Sequence, residues 1–184
     1  MPSPAHSPAP VKGLFRRFRR SRGGSAAVEF ALVAPLFFAL LFAIIETAIM
    51  FFAGQVLETI AQNSARSILT GQTQTAGYTQ VQQFSANVVC PQVTVLFTCS
   101  SIGIDVESWP AFSGTMAVNN LIDSNCNFIS NNMQYSPGGP GSIVVLKLAY
   151  KWPLFVTGLG FNISTPGCGG RLLTAAAAFQ NEPY

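Results

Sequence analysis

Hydrophobic positions crowd the first third of the chain and then break into shorter patterns. From Phe30 to Ala53 there are 24 residues whose only charge is Glu46. A helix of that length, at 1.5 Å per residue, is about 36 Å long, enough for a hydrocarbon core of about 30 Å. The run therefore predicts a membrane span over about residues 30–53. Beyond it, Val56, Leu57, Ile60, Ala61, Ala65 and Ile68 recur at three- and four-residue steps, with Gln55, Glu58, Thr59, Gln62 and Arg66 between them. That period predicts an amphipathic continuation to about Leu69, stopped by Thr70-Gly71, with its apolar stripe covering a sheet of the same chain. A polar Gly/Thr/Gln linker is expected over 72–80, and a second short helix through Val81, Phe84, Val88 and Val89. Strands are expected at 93–97, 102–107, 143–150 and 172–179, the 143–150 run being apolar enough to be central. The segment 115–129 is ambiguous, with Met116, Leu121 and Ile122 compatible with a short helix. Ser136 to Gly141 reads as a turn or loop. The expected fold is α+β: a long N-terminal transmembrane helix extending into a small exported domain with an antiparallel sheet.

Charge changes the picture at the N-terminus. The chain has 10 Lys and Arg, 7 Asp and Glu, 9% charged residues and 49% hydrophobic ones. A plain cytosolic globule normally carries about 25% charge. Residues 1–24 hold six basic side chains (Lys12, Arg16, Arg17, Arg19, Arg20, Arg22) and no acidic one, so residues 25–184 sum to −3. A basic run alone fits nucleic acid or an anionic membrane. Beside an apolar span it fits the membrane, and no nucleic-acid partner is expected. The positive flank keeps the N-terminus cytoplasmic and sends the C-terminal part outward. The span exceeds the 7–15 apolar residues of a cleaved secretory signal and no small-x-small site follows it, so a signal anchor is expected. Glu29 at the membrane entrance and Glu46 within the apolar run are costly, by about 2.5–3.5 kcal/mol at a span's centre. Either each sits where water reaches it or each meets a partner inside an assembly.

The string Gly24-Ser25-Ala26-Ala27-Val28-Glu29-Phe30-Ala31-Leu32-Val33-Ala34-Pro35-Leu36 resembles the start of the TadE-like family. Ile44-Ile45-Glu46, Gln55-Val56-Leu57-Glu58, Ala61-Gln62-Asn63-Ser64-Ala65-Arg66 and Asn181-Glu182-Pro183-Tyr184 continue the likeness. These are minor pilins, or pseudopilins, of the tight-adherence (Flp-type) pilus system. The resemblance implies a pilin-like plan and processing by a prepilin peptidase, which cuts after a Gly that precedes a Glu at the fifth mature position. Counting back from Glu29 puts the cut between Gly24 and Ser25. It implies a single-pass protein of the bacterial inner membrane with a periplasmic domain, either retained there or incorporated into the pilus. Its partners would be other minor pilins and the major pilin or membrane platform. It also implies that Glu29 neutralises the N-terminal amine of a neighbouring subunit. Pro35 removes one helical donor and frees the Ala31 carbonyl, so a local kink is expected. The domains expected are a cleaved leader over 1–24, the helix over 25–70 and a disulfide-containing domain over 71–184.

Four cysteines, Cys90, Cys99, Cys126 and Cys168, lie in the exported part. An even count in an oxidising compartment argues for two disulfides, with three connectivities possible. Cys90–Cys99 with Cys126–Cys168 is preferred, the first closing a hairpin-sized loop and the second tying down the long Gly-rich region. Spacings of 9, 27 and 42 without a CxxC speak against zinc, and no metal or cofactor is expected. The one histidine, His6, lies in the leader, so a mature chain lacks a Ser-His or Cys-His mechanism. Asp105 and Glu107 alternate along one expected strand and share a face; a solvated face is expected there rather than a glycosidase-like pair. Asn162-Ile163-Ser164 is a sequon by pattern only. No phosphate loop or dinucleotide fingerprint is present, and no enzyme is expected. Two function classes follow: a pilus assembly component, or a signal-anchored periplasmic binding domain without a role in assembly.

Overall fold

The computed structural model of the chain describes residues 24–93, 95–112, 118–155 and 162–184. The expected leader, with Gly24 excepted, lies outside these residues, as do Thr94 of the expected 93–97 strand and Met116 of the ambiguous segment. Contacts divide the chain into two units that meet at Phe42 and Ala43.

The first element, α1 (Ser25–Leu69), is one continuous helix that carries Pro35 inside it. It ends where expected. Gly71 adopts φ 72°, and its N–H donates to the Ile68 carbonyl at 3.0 Å, a left-handed stop that glycine takes without strain. A Cβ on Gly71 would also collide with the ring of Tyr184. The Glu182 N–H caps the Leu69 carbonyl at 3.0 Å, and the buried Asn181 side chain donates to the carbonyls of Pro137 and Gly139. The last four residues thus close the end of α1 and the 137–141 loop together.

In the second unit a three-stranded antiparallel sheet, in order β1-β2-β3, is formed by β1 (Ile102–Trp109), β2 (Ile143–Trp152) and β3 (Arg171–Gln180). β2 is central, as its long apolar run predicts. Its Val144, Leu146, Leu148, Tyr150 and Trp152 join Ile102, Ile104 and Val106 of β1 and Ala175 and Ala177 of β3 in one buried cluster. Met50, Ala53, Leu57, Ile60, Ala61 and Ile68 of α1 lie in the same cluster. The three- and four-residue stripe does cover the chain's own sheet. Each fully buried Leu or Ile contributes about 1.5–3 kcal/mol by leaving water.

Between α1 and β1 the expected linker contains a helical turn, α2 (Gln72–Thr75). The expected short helix is α3 (Val81–Phe84), prolonged by a π-helical turn (Ser85–Val89) and a 3₁₀ turn (Cys90–Gln92). No strand forms over the described residues of 93–97. Their period-2 pattern has no partner edge, because the outer edge of β1 is taken by the segment around Tyr135, which bridges Val106. Phe97 instead turns inward against Tyr150 and Trp152, at ring separations of 4.9 and 6.0 Å. No helix forms over the described part of 115–129; Ile122 and Phe128 make a short antiparallel bridge instead.

Candidate functional sites on the helix and behind the sheet

Three places carry the chemistry that the sequence singles out. The first is the start of α1. Gly24 and Glu29 are exposed there, and apolar side chains from Val28 to Phe42 are exposed almost without interruption. A Cβ on Gly24 would meet nothing within 4 Å, and its backbone is not left-handed. The fold therefore places no demand for glycine at position 24. α1 continues through Pro35, which is exposed. The helix as a whole is long and apolar enough to cross a membrane once.

The second is Glu46. Although it stands in an apolar run, its side chain is buried, with 8% of the residue exposed. Its Oε1 accepts the backbone N–H of Phe155, from the loop that follows β2. Glu46 thus has a hydrogen-bond partner inside its own chain.

The third lies on the sheet face turned away from α1. Asp105 is fully buried and Glu107 nearly so. The expectation of a solvated face at these two residues is overturned. Opposite Asp105 in register stands Lys147, whose Nζ lies 3.0 Å from Asp105 and 3.9 Å from Glu107. Asp105 accepts the Gln134 N–H at 3.1 Å, and Glu107 accepts the Asn119 N–H at 3.1 Å. Lys147 also donates to the Asn119 carbonyl. Burial, then the hydrogen bond and charge of Asp105, push the Glu107 carboxyl above its ordinary value, against the pull of the Asn119 amide and Lys147. These contacts pin two loop segments over the strands, and they occupy the carboxylates that a hydrolytic pair would need free. Sequence reasoning missed this cluster. The signal was Lys147, a charge set among the apolar residues in the middle of the central strand.

Two disulfides form: Cys126, at φ 59°, is bonded to Cys168, and Cys90 is bonded to Cys99. Asp123 accepts the N–H groups of Asn125 and Asn127 at 2.8 Å each, and the Asn127 amide holds its carboxyl below the ordinary value. The ring of Phe128 lies over Gly103, where any Cβ would overlap it. Among the described residues no group of three His, Cys, Asp or Glu gathers to hold a metal. An open depression of about 320 Å³ beside Cys90–Cys99 is lined mainly by Val81, Ser85, Ile102, Ile104 and Met133, without a titratable group.

A helix of membrane-spanning length, its far half packed under a small antiparallel sheet, makes an α+β fold compatible with a single-pass anchor. Residues 24–66, the start and most of α1, match the family model for TadE-like proteins, a likeness to a pilus-associated family. No curated protein and no solved structure matches the chain.

Proposed function

We propose that this protein is a minor pilin of a Flp-type tight-adherence pilus, cut between Gly24 and Ser25 by a prepilin peptidase and anchored in the bacterial inner membrane with its sheet domain in the periplasm. The observation that carries the reading is the family match over residues 24–66, which begins at the expected cut and at the start of α1. Two structural features support it. Gly24 is free of any structural need for glycine, which leaves access for a peptidase as the reason for it. The apolar surface of α1 up to Phe42 is exposed among the described residues and suits lipid or neighbouring helices.

After cleavage, 184 − 24 = 160 residues remain. The new Ser25 amine would sit on the positive end of a helix, an unfavourable place for an ammonium group. A neighbour's Glu29 carboxylate would offset both charges in a medium where attraction is far stronger than in water. Pro35, with the Ala31 carbonyl it frees, supplies a second contact for packed helices. The partners are the peptidase, other minor pilins, and the major pilin or membrane platform.

Glu29→Ala tests the proposal. Cleavage should remain largely intact, whereas co-purification with the other pilins and pilus formation should be lost. Normal pili and normal co-purification in that variant would overturn the assembly role of Glu29. An anchored binding domain outside the pilus would then be the better reading.

A further inference from the structure

We infer that the loop Pro153–Phe155 is a second membrane contact: Phe155 enters the outer headgroup–acyl boundary of the bilayer, and Glu46 holds it at that depth through the Phe155 amide. The inference rests on the membrane-anchored reading above.

Phe155 is 85% exposed, next to an exposed Pro153 and a Leu154 partly packed on the core. A single exposed aromatic means little by itself. Its position is what matters. The Phe155 N–H is bound by Glu46, so the ring is tied to one level of α1. From Ser25 to Glu46 there are 22 residues, a helix of about 33 Å, close to the hydrocarbon thickness of about 30 Å. With Ser25 at the inner surface, Glu46 lies at the outer one.

Packing sets the same boundary independently. From Met50 and Ala53 onward, one face of α1 belongs to the core it shares with the sheet. Those residues cannot face lipid, so the span must end before them on that side. On that face it therefore ends about two turns before Ala53, while Phe51 and Phe52 stay exposed on the other face, at the interfacial rim. Ile44, Ile45 and Ile49 are exposed at this level, which extends the apolar surface of α1 to the height of Phe155. A backbone N–H brought to this boundary loses water, and an unpaired one is costly. Glu46 supplies the acceptor. A carboxylate at the end of a span thus fixes the seat of the exported domain, with the apolar ring reaching the interfacial zone of about 5–10 Å.

The test uses the full chain in vesicles of phosphatidylethanolamine and phosphatidylglycerol, doped with lipid brominated either near the headgroup or near the chain end. Phe155→Trp is compared with the unsubstituted chain, whose Trp109 and Trp152 supply the background. The added emission should be quenched about twofold more by the shallow bromine than by the deep one. Leu36→Trp should be quenched chiefly by the deep bromine. Adding Glu46→Ala to Phe155→Trp should lower shallow quenching, and Glu46→Gln, which keeps an acceptor oxygen, should restore it. A quenched Leu36→Trp beside an unquenched Phe155→Trp would overturn the loop contact and leave the span standing. If neither is quenched, the membrane reading falls as well. Blue-shifted, unquenched Phe155→Trp emission that follows protein density rather than lipid would assign the ring to a neighbouring subunit instead. Shallow quenching that Glu46→Ala leaves unchanged would overturn the role of Glu46.

Discussion

Leu36 and Leu57 are leucines on one helix, 21 residues apart, and they live in opposite surroundings. Leu36 is 67% exposed, in a stretch where nearly every side chain from Val28 to Phe42 is exposed. Leu57 is 0% exposed, with Ile60, Ala61 and Ile68 beside it in the core. The sequence marks the change. The first stretch is apolar on all sides, which suits a medium that is itself apolar; the second is apolar on one stripe, which suits a single partner surface. The same residue type therefore does two jobs. Near the start of α1 it faces outward on a helix long enough to cross a membrane, and in the second half it packs in the core shared with the sheet.

The sharpest way to break this comparison is to shorten both residues. Leu57→Ala should cost about 2–5 kcal/mol of unfolding free energy, read by urea unfolding of the full chain in detergent micelles. Leu36→Ala should cost less than about 0.5 kcal/mol in the same experiment, while weakening retention in membranes. Equal losses would remove the distinction. Next in size is the disulfide Cys126–Cys168, with its 42-residue separation, against Cys90–Cys99 with 9. The chain-entropy estimate is about 4 kcal/mol for the longer loop and about 3 for the shorter. Paired Cys→Ser substitutions should follow that order, and both should leave the first half of α1 indifferent. Lys147→Met comes third. It leaves two buried carboxylates facing each other and should cost about 3 kcal/mol, partly recovered by acid; a loss independent of pH would argue against a charge effect.

Glu107→Gln has the smallest expected effect, less than about 1 kcal/mol near neutral pH. Its signature is a slope. The Glu107 carboxyl is raised above 4.5 in the folded chain. Between that value and the raised one, the folded state holds more protons than the unfolded state, so stability falls as pH rises. The contribution is complete below the unfolded value and lost above the folded one. Gln keeps an oxygen for the Asn119 N–H but has no proton to lose, so the curve should flatten in that window. An unchanged slope would assign it to another group.

Most of the fold was legible because its signals are local. The helix stop at Gly71, the stripe from Val56 to Ile68, the central β2 and the edge strand β3 each show in a few consecutive residues. The Ala run of β3 alternates buried Ala175 and Ala177 with exposed Ala176 and Ala178, as a half-covered edge strand should. What failed depended on distant chain. Val93 to Phe97 has strand-like spacing, but the edge it needed is occupied by residues from around Tyr135. Asp105 and Glu107 alternate like a solvated face, but a loop more than ten residues away covers them. At the candidate site, Gly24, Ser25 and Glu29 were legible as a motif, whereas the link between Glu46 and Phe155 joins residues 109 apart and leaves no mark in either neighbourhood.

The central claim is that α1 begins life behind a leader that is removed after Gly24. Mass spectrometry of membrane-extracted protein, from cells with and without the prepilin peptidase, measures this most directly. The account predicts a chain starting at Ser25 when the peptidase is present and a longer chain when it is absent. A protein that keeps its basic leader in both strains would contradict it.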